Sequence, residues 1–177
     1  TGPWREGQKR VLVGIGCFWG AEKMYWQMDG VNSTSVGYAG GVTPNPTYRE
    51  VYTGCTGHAE TVRVTYDPTQ VSTEAILTIF LENHDPTQGM RQGNDVGTQY
   101  RSAIWCTTTE QFMTATTVKG SYQANLLNAG YGAITTAISM ANGVEFYLAE
   151  AEHQQYLEDN PFGYCPVHAT GVCLAGS

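Results

Sequence analysis

The sequence predicts an α+β fold, with one domain built on a central mixed or antiparallel sheet flanked by helices. We expect a two-layer sandwich with a ferredoxin-like core. Short apolar or alternating segments typical of strands recur between longer segments with helical spacing, and 177 residues are enough to bury one core. The last stretch has no periodicity. We therefore divide the single domain into a lead-in (1–9), a core (10–160) and a long, irregular, flexible C-terminal arm (161–177).

Composition narrows the functional classes. The formal net charge is −7, and the nine Lys and Arg residues are scattered, which argues against nucleic-acid binding because phosphate neutralisation needs a basic surface. The sequence has no internal repeat and no apolar run long enough to span a membrane. An odd number of cysteines, five, without other signs of a disulfide scaffold indicates reduced or cycling thiols in a cytoplasmic compartment.

The first elements are a strand at Val11–Val13 and a helix at Phe18–Met28, joined by a glycine turn. Cys17 opens this helix, where unpaired backbone N–H groups and the helix dipole favour negative charge, so we expect a stabilised, nucleophilic thiolate. Phe18 and Trp19 beside it suit a small apolar group brought next to the sulfur. The alternative is an inert cysteine in a buried strand–turn–helix unit.

Two further strands follow this helix. A short strand over 34–38 precedes a loop over 43–49, whose two prolines hold Tyr48 at a fixed place. The segment 57–66 alternates with period two, which places Glu60 on the apolar face. Burial there disfavours the charged carboxylate, so we expect a raised pKa and a group able to donate a proton near neutral pH. The alternative for Tyr48 is a tyrosine that only contributes to packing. The alternative for Glu60 is a carboxylate at the end of the strand that turns into water.

The second half of the chain alternates helices and strands. A helix capped by Ser72 or Thr73 ends at 83, a long helix runs from a capping box at 107–111 to 128–130, and a last helix covers 144–157. Strands are predicted over 98–105, which carries Tyr100, and over 133–140. A polar loop over 87–96 contains Asp95, and loops of this length inside a compact domain are usually functional.

Three cysteines are candidates for thiol chemistry. Cys165 and Cys173 lie on the predicted arm, where mobility would let one sulfur approach another in line, as thiol–disulfide exchange requires. We expect Cys17 to be the attacking nucleophile and the cysteines of the arm to resolve its oxidised form. Cys55, in a glycine turn, and Cys106, at the end of a strand, are interpreted as bystanders.

Several segments together resemble the A class of the peptide methionine sulfoxide reductases. The resemblance covers nearly the whole chain from about Val11 onward, and the matching segments are Gly16–Gly20, Pro46–Val51, Gly57–Glu60, Asn83–Pro86, Gln92–Asp95, Gly97–Ser102, His153–Tyr156 and Asn160–Pro161. It implies reduction of the S epimer of methionine sulfoxide in oxidised proteins or peptides, and of the free amino acid, as repair of oxidative damage.

The resemblance also implies a role for each matched residue. Cys17 attacks the sulfoxide sulfur and becomes a sulfenic acid, while Glu60 acts as acid toward the oxygen. Two tyrosines hydrogen-bond that oxygen, a carboxylate supports them, and two aromatic side chains receive the methyl group; these are Tyr48 and Tyr100, Asp95, and Phe18 and Trp19.

For recycling, the resemblance implies that a disulfide passes from Cys17–Cys165 to Cys165–Cys173 and that thioredoxin or another redoxin then reduces it. The segment between the two arm cysteines is less glycine-rich than in the family, and Pro166 restricts the backbone after Cys165, which bears on the speed and partner of recycling. We expect a monomer with no cofactor, no metal and neither a nucleic-acid nor a membrane partner.

Two other functions remain as alternatives. Cys165, His168 and Cys173 have metal-ligand chemistry at close spacing, but they supply three ligands where a structural zinc site takes four. A thiol peroxidase or redox sensor would share the cysteine chemistry. It would not need Glu60 and the tyrosines around a methyl-sized apolar pocket.

Overall fold

A computed structural model describes residues 6–174 of the chain. The start of the predicted lead-in (1–5) and the end of the predicted arm (175–177) lie outside the described residues. The helices and strands, in chain order, are β1 (Lys9–Ile15), α1 (Phe18–Trp26), β2 (Val31–Ala39), α2 (Tyr48–Tyr52), β3 (Ala59–Tyr66), α3 (Thr73–Glu82), β4 (Arg91–Gln92), β5 (Asp95–Val96), β6 (Ser102–Cys106), α4 (Thr109–Asn128), β7 (Ala137–Met140), β8 (Phe146–Leu148) and α5 (Tyr156–Asp159). Two 3₁₀ helices cover Thr98–Tyr100 and Ala151–His153.

The six main strands form one mixed sheet. Their order is β7-β6-β1-β3-β2-β8, in which β6 and β7 are parallel and every other neighbouring pair is antiparallel. The strands β4 and β5 pair separately as a small hairpin. The predicted single α+β domain with a mixed sheet is therefore confirmed, whereas the ferredoxin-like label for its core stays a prediction.

Residues of the central strands alternate between two apolar clusters. Val11 and Val13 belong to the main core, which also contains the buried faces of α1, α3 and α4. Leu12, between them, belongs to a smaller cluster with Trp105, against which Val144 and Phe146 pack. Because neighbouring side chains of a strand point to opposite faces, the helices cover one face of the sheet and the 141–146 segment covers part of the other.

Two central strands bring the predicted nucleophile and acid together. Strand β1 leads into α1 through Gly16, whose φ is 99° and whose Cβ, if it had one, would lie 2.6 Å from the Cβ of Gln92. Glycine is the residue that fits both the backbone conformation and this close approach. On the adjacent strand β3, Ala59 belongs to the smaller cluster, so Glu60 faces the helices.

The predicted helix over 144–157 is wrong. Residues Phe146–Leu148 form the edge strand β8, which pairs with Gly37–Ala39 of β2, and a 3₁₀ helix and the short α5 follow. Gln155 has a left-handed backbone with φ of 51°, which ends any continuous helix there. Pairing with the open edge of β2 therefore overrides the local helical spacing.

Other boundaries also differ from the predictions. Tyr100 lies in a 3₁₀ helix rather than in the strand over 98–105, because its backbone N–H donates to the carbonyl of Gly97 and β6 begins only at Ser102. The loop over 87–96 contains the β4–β5 hairpin. The predicted strand over 133–140 is limited to Ala137–Met140, its portion parallel to β6.

The chain after α5 contains no helix or strand over 160–174. Hydroxyls of Tyr122 and Tyr131 bond Thr170, and the side-chain amide of Asn125 donates to the carbonyl of Cys173. This stretch is therefore held against α4 and the turn after it, and its predicted flexibility stays a prediction. In the described part of the chain, no helix has the length and apolar character needed to cross a membrane.

Candidate active site

A cleft of about 340 Å³ gathers most of the predicted site residues. Its lining contains a thiol, two carboxyl groups and six aromatic side chains; they are Cys17, Glu60, Asp95, Phe18, Trp19, Tyr48, Tyr52, Tyr100 and Tyr164. Seven of these were predicted from the sequence. Tyr52 and Tyr164 were not.

Cys17 is the N-cap residue of α1 and only 5% exposed. Burial raises the pKa of its thiol well above the usual value, the charge of Glu60 raises it further, and a hydrogen bond from the backbone of Trp19 lowers it less than these raise it. The expectation of a stabilised thiolate is therefore wrong, because desolvation outweighs the helix N-terminus. In the resting protein Cys17 is a thiol.

Glu60 is 3% exposed and accepts a hydrogen bond at its Oε2 from the backbone N–H of Phe18, at 2.9 Å. Burial raises the pKa of this carboxyl to about 8, and the charge of Asp95 raises it while the Phe18 hydrogen bond lowers it. The prediction of a buried acid with a raised pKa is confirmed. Near neutral pH, Glu60 therefore carries a proton in the cleft beside Cys17.

Tyr48 begins α2, where its backbone N–H donates to Oε1 of Glu150 at 2.8 Å. The other oxygen of Glu150 accepts from the hydroxyl of Tyr38, so one carboxylate fixes two neighbouring elements. Tyr100 is the last residue of the 3₁₀ helix Thr98–Tyr100 and is 7% exposed. Burial, followed by the charge of Glu60, raises the pKa of Tyr48 and of Tyr100, so both hydroxyls stay protonated and can donate.

Phe18 and Trp19 belong to a larger aromatic wall than the sequence indicated. The ring of His153 lies 4.3 Å from that of Tyr48 and 5.7 Å from that of Phe18, measured between centroids. Tyr156 stacks on Trp19 at 4.0 Å. His153 and Tyr156 were missed as contributors because they fell within the predicted helix over 144–157. Their only sequence signal was membership of a matching family segment.

Asp95 lies on the hairpin strand β5, where its Oδ1 accepts a hydrogen bond from the hydroxyl of Tyr164 at 3.2 Å. Burial raises the pKa of Asp95, and this hydrogen bond lowers it. Tyr164 precedes Cys165, so the segment that carries a predicted resolving cysteine also closes one side of the cleft. No periodicity in that segment could have identified this contact.

The other four cysteines lie outside the cleft lining. Cys165 is exposed, and its Sγ lies against α1 at the position that a side chain on Gly20 would occupy. Cys173 is exposed on the segment held by α4. Cys55 is exposed and Cys106 is buried, and all five cysteines are free thiols.

The metal-site alternative finds no support in the geometry. Within residues 6–174, no three His, Cys, Asp or Glu side chains are grouped so that they could hold a metal ion. Cys165, His168 and Cys173 therefore do not form such a group.

The chain is similar to proteins of a known family. Residues 9–173 match the family model described as peptide methionine sulfoxide reductase. The chain is 63% identical over 174 residues to peptide methionine sulfoxide reductase MsrA of Corynebacterium kroppenstedtii, covering 97% of this chain and 79% of that protein. It is 58% identical over 177 residues to MsrA of Pseudomonas entomophila, covering 99% and 79%.

Solved structures have the same fold. Methionine sulfoxide reductase A of Corynebacterium diphtheriae superposes with a TM-score of 0.87 at 52% identity, covering 96% of this chain and 82% of that one. Mxr1 of Saccharomyces cerevisiae in reduced form superposes with a TM-score of 0.80 at 33% identity, covering 95% and 92%. Mxr1 has also been solved in complex with Trx2, with a TM-score of 0.62 at 24% identity, covering 95% and 94%.

Proposed function

The chain belongs to the peptide methionine sulfoxide reductases, class MsrA, and is a peptide-methionine (S)-S-oxide reductase; we propose that Cys17 is its nucleophile and Glu60 its acid. The observation that carries this assignment is the hydrogen bond from the backbone N–H of Phe18 to Glu60. This bond holds a carboxyl with a raised pKa beside the start of α1, where Cys17 lies. We therefore propose that Cys17 and Glu60 act on the sulfur and the oxygen of the same sulfoxide group.

In the proposed reaction, the sulfoxide oxygen receives hydrogen bonds from Glu60, Tyr48 and Tyr100. The sulfur of Cys17 attacks the sulfoxide sulfur as Glu60 donates a proton to the oxygen, and the proton released by the thiol restores the acid. In the net reaction the oxygen moves from methionine to Cys17. The methionine sulfur is reduced, and Cys17 is oxidised to a sulfenic acid.

The cleft lining supports a role for the aromatic residues. Phe18 and Trp19 form an apolar wall beside the Cys17 sulfur, and we propose that they receive the methyl group of the substrate. Asp95, held by Tyr164, is proposed to support the polar side of the cleft. The raised pKa values of both tyrosines keep their hydroxyls available as donors.

For recycling, we propose that Cys165 condenses with the sulfenic acid at Cys17 and that Cys173 then takes over the disulfide. The contact of the Cys165 thiol with α1 at Gly20, three residues after Cys17, supports the first step. A thioredoxin or another redoxin is the proposed reductant of the Cys165–Cys173 disulfide, and the complex of Mxr1 with Trx2 supports this choice. We further propose action on oxidised proteins and on the free amino acid by a monomer whose core covers 10–160 and whose recycling arm covers 161–177.

Reduced protein incubated separately with S and R methionine sulfoxide peptides tests the proposal. We expect methionine from the S epimer, loss of two thiols per sulfoxide, and no methionine when Cys17 is replaced by Ser. Hydrogen peroxide serves as the control oxidant. If the thiols were consumed by peroxide but not by the S epimer, the protein would act as a thiol peroxidase and the proposal would fail.

A further inference from the structure

The thiol of Cys165 occupies the place of a missing side chain on α1. A Cβ built on Gly20 would fall closer than 3.0 Å to Sγ of Cys165, a separation that real Cβ atoms essentially never show. The next neighbours of that position are the Cβ of Cys165 at 3.8 Å and a methyl group of Val167 at 3.9 Å. The surface of α1 at Gly20 is therefore a notch filled by a thiol.

The proposed function joins the thiol in this notch to Cys17, which caps the same helix. Cys17 and Gly20 are three residues apart, which puts them on the same side of the helix. The same methyl group of Val167 lies 3.7 Å from a Cβ built on Gly16. Cys165 and Val167 therefore lie against the start of α1, near the glycines that precede and follow Cys17 in the sequence.

The helix itself gives no reason for a glycine at this position. Gly20 does not have the left-handed backbone that favours glycine, and glycine in a helix interior is less favourable than alanine. Gly20 is also absent from the lining of the substrate cleft. The contact with the Cys165 thiol is the close approach at this position, and a Cβ on residue 20 would force that thiol to move.

We propose that Gly20 is a positioning residue for the resolving step, because its missing side chain lets the Cys165 sulfur approach Cys17 along the helix surface. This inference rests on the proposed function of Cys165. In that step the Cys165 sulfur attacks the sulfenic sulfur of Cys17, a sulfur–sulfur bond forms and the sulfur–oxygen bond breaks. The oxygen leaves as hydroxide and becomes water with the proton from Cys165, so no further reductant is needed.

The test compares Gly20→Ala with Gly120→Ala. Gly120 is a matched control, because it is an exposed helical glycine in α4 whose added Cβ would meet nothing within 4 Å. Each variant is given one equivalent of the S sulfoxide, and methionine formation is followed separately from disulfide formation. A cyclic diketone traps the sulfenic acid, and thermal melting shows whether each variant is folded.

We expect Gly20→Ala to form methionine at the wild-type rate and with the wild-type KM, and to form the Cys17–Cys165 disulfide about 10- to 100-fold more slowly, as misplacement of a reacting group does. The trapped sulfenic acid should accumulate. A small dithiol that reduces the sulfenic acid directly should restore turnover. Gly120→Ala should match the wild type in every step, and Gly20→Ser, a larger side chain, should resolve more slowly still.

Equal rates of disulfide formation in folded Gly20→Ala and Gly120→Ala would overturn the inference while leaving the role of Cys165 intact. A second comparison, with Cys165→Ser, separates the two claims. If that variant formed an intramolecular disulfide to Cys17 at the wild-type rate, the proposed resolving cysteine would be wrong, and the role of Gly20 would be wrong with it.

Discussion

Glu60 Oε2 lies 2.9 Å from the backbone nitrogen of Phe18, the first residue of the helix that Cys17 caps. The carboxyl occupies the position where a helix N-terminus usually binds an anion, yet burial keeps its pKa near 8. One oxygen accepts from the backbone, which leaves the protonated oxygen free to face the cleft. The helix start thus holds both the proposed nucleophile and the proposed acid.

Replacing Glu60 by Gln should slow sulfoxide reduction by about 10²- to 10⁴-fold, because an amide keeps the acceptor for Phe18 but cannot transfer a proton. The rate to measure is that of a single turnover, since recycling could mask the loss. Glu110→Gln, on the surface beside Lys9, is the matched control and should leave the rate unchanged. An unchanged single-turnover rate in Glu60→Gln would remove Glu60 from the acid role.

The pH dependence of stability should differ between the wild type and Glu60→Gln. The pKa of Glu60 rises from 4.5 to about 8 on folding, so its protonated form stabilises the fold at low pH. This contribution is lost as pH rises through the folded value. Urea unfolding between about pH 5 and about pH 9 should therefore show a steeper fall in the free energy of unfolding for the wild type. Parallel curves would mean that Glu60 does not titrate in this range.

Cys17→Ser should abolish methionine formation, because a serine hydroxyl is a far weaker nucleophile toward sulfur than a cysteine. Cys106→Ser is a suitable control for loss of a buried thiol, since Cys106 is buried but outside the cleft. Methionine release from the S sulfoxide peptide is the measurement. Turnover above background in Cys17→Ser would assign the chemistry to another group.

Tyr100→Phe should lower the single-turnover rate by roughly 10²-fold, the effect typical of losing one donor to a developing oxyanion. The ring remains, so the packing of the cleft should be kept and KM should change less than the rate. Tyr147→Phe, in β8 against His58, is the control. A change confined to KM would indicate that Tyr100 only binds substrate.

Local patterns predicted those elements that local chemistry determines. Ser72 caps α3 through a hydrogen bond from the backbone of Ala75, and Thr108 and Gln111 form the capping box of α4, as the sequence indicates. The alternation in β3 also placed Glu60 on the helix-covered face. In each case the deciding interactions lie within a few residues along the chain.

The predictions that are wrong concern features determined by contacts between residues far apart in the sequence. Residues 146–148 are a strand because the edge of β2 accepts them, and the pKa of the Cys17 thiol is raised because sheet and helices desolvate it. Tyr164 reaches Asp95 across 69 positions of sequence, which no local pattern encodes. The segments that match the family identified the site residues, and the alternation of β3 predicted the raised pKa of Glu60, whereas the raised pKa of Cys17 depends on the folded environment.

A substitution at Cys173 in the arm should separate sulfoxide reduction from recycling. Cys173→Ser should stop with Cys17 and Cys165 joined, and a small thiol that reaches this disulfide should restore some turnover. Peptide mapping after one turnover identifies the linked pair. A disulfide to Cys55 or Cys106 would show that the arm does not resolve the sulfenic acid.

The most direct test of the central claim is a single-turnover measurement on Cys165→Ser with the S sulfoxide peptide, in which methionine is counted and the oxidised cysteine is located by mass. If Cys17 performs the reduction and Cys165 only resolves it, the variant should form about one equivalent of methionine per enzyme and stop with a sulfenic acid at Cys17. No methionine, or a sulfenic acid at any other cysteine, would contradict the account.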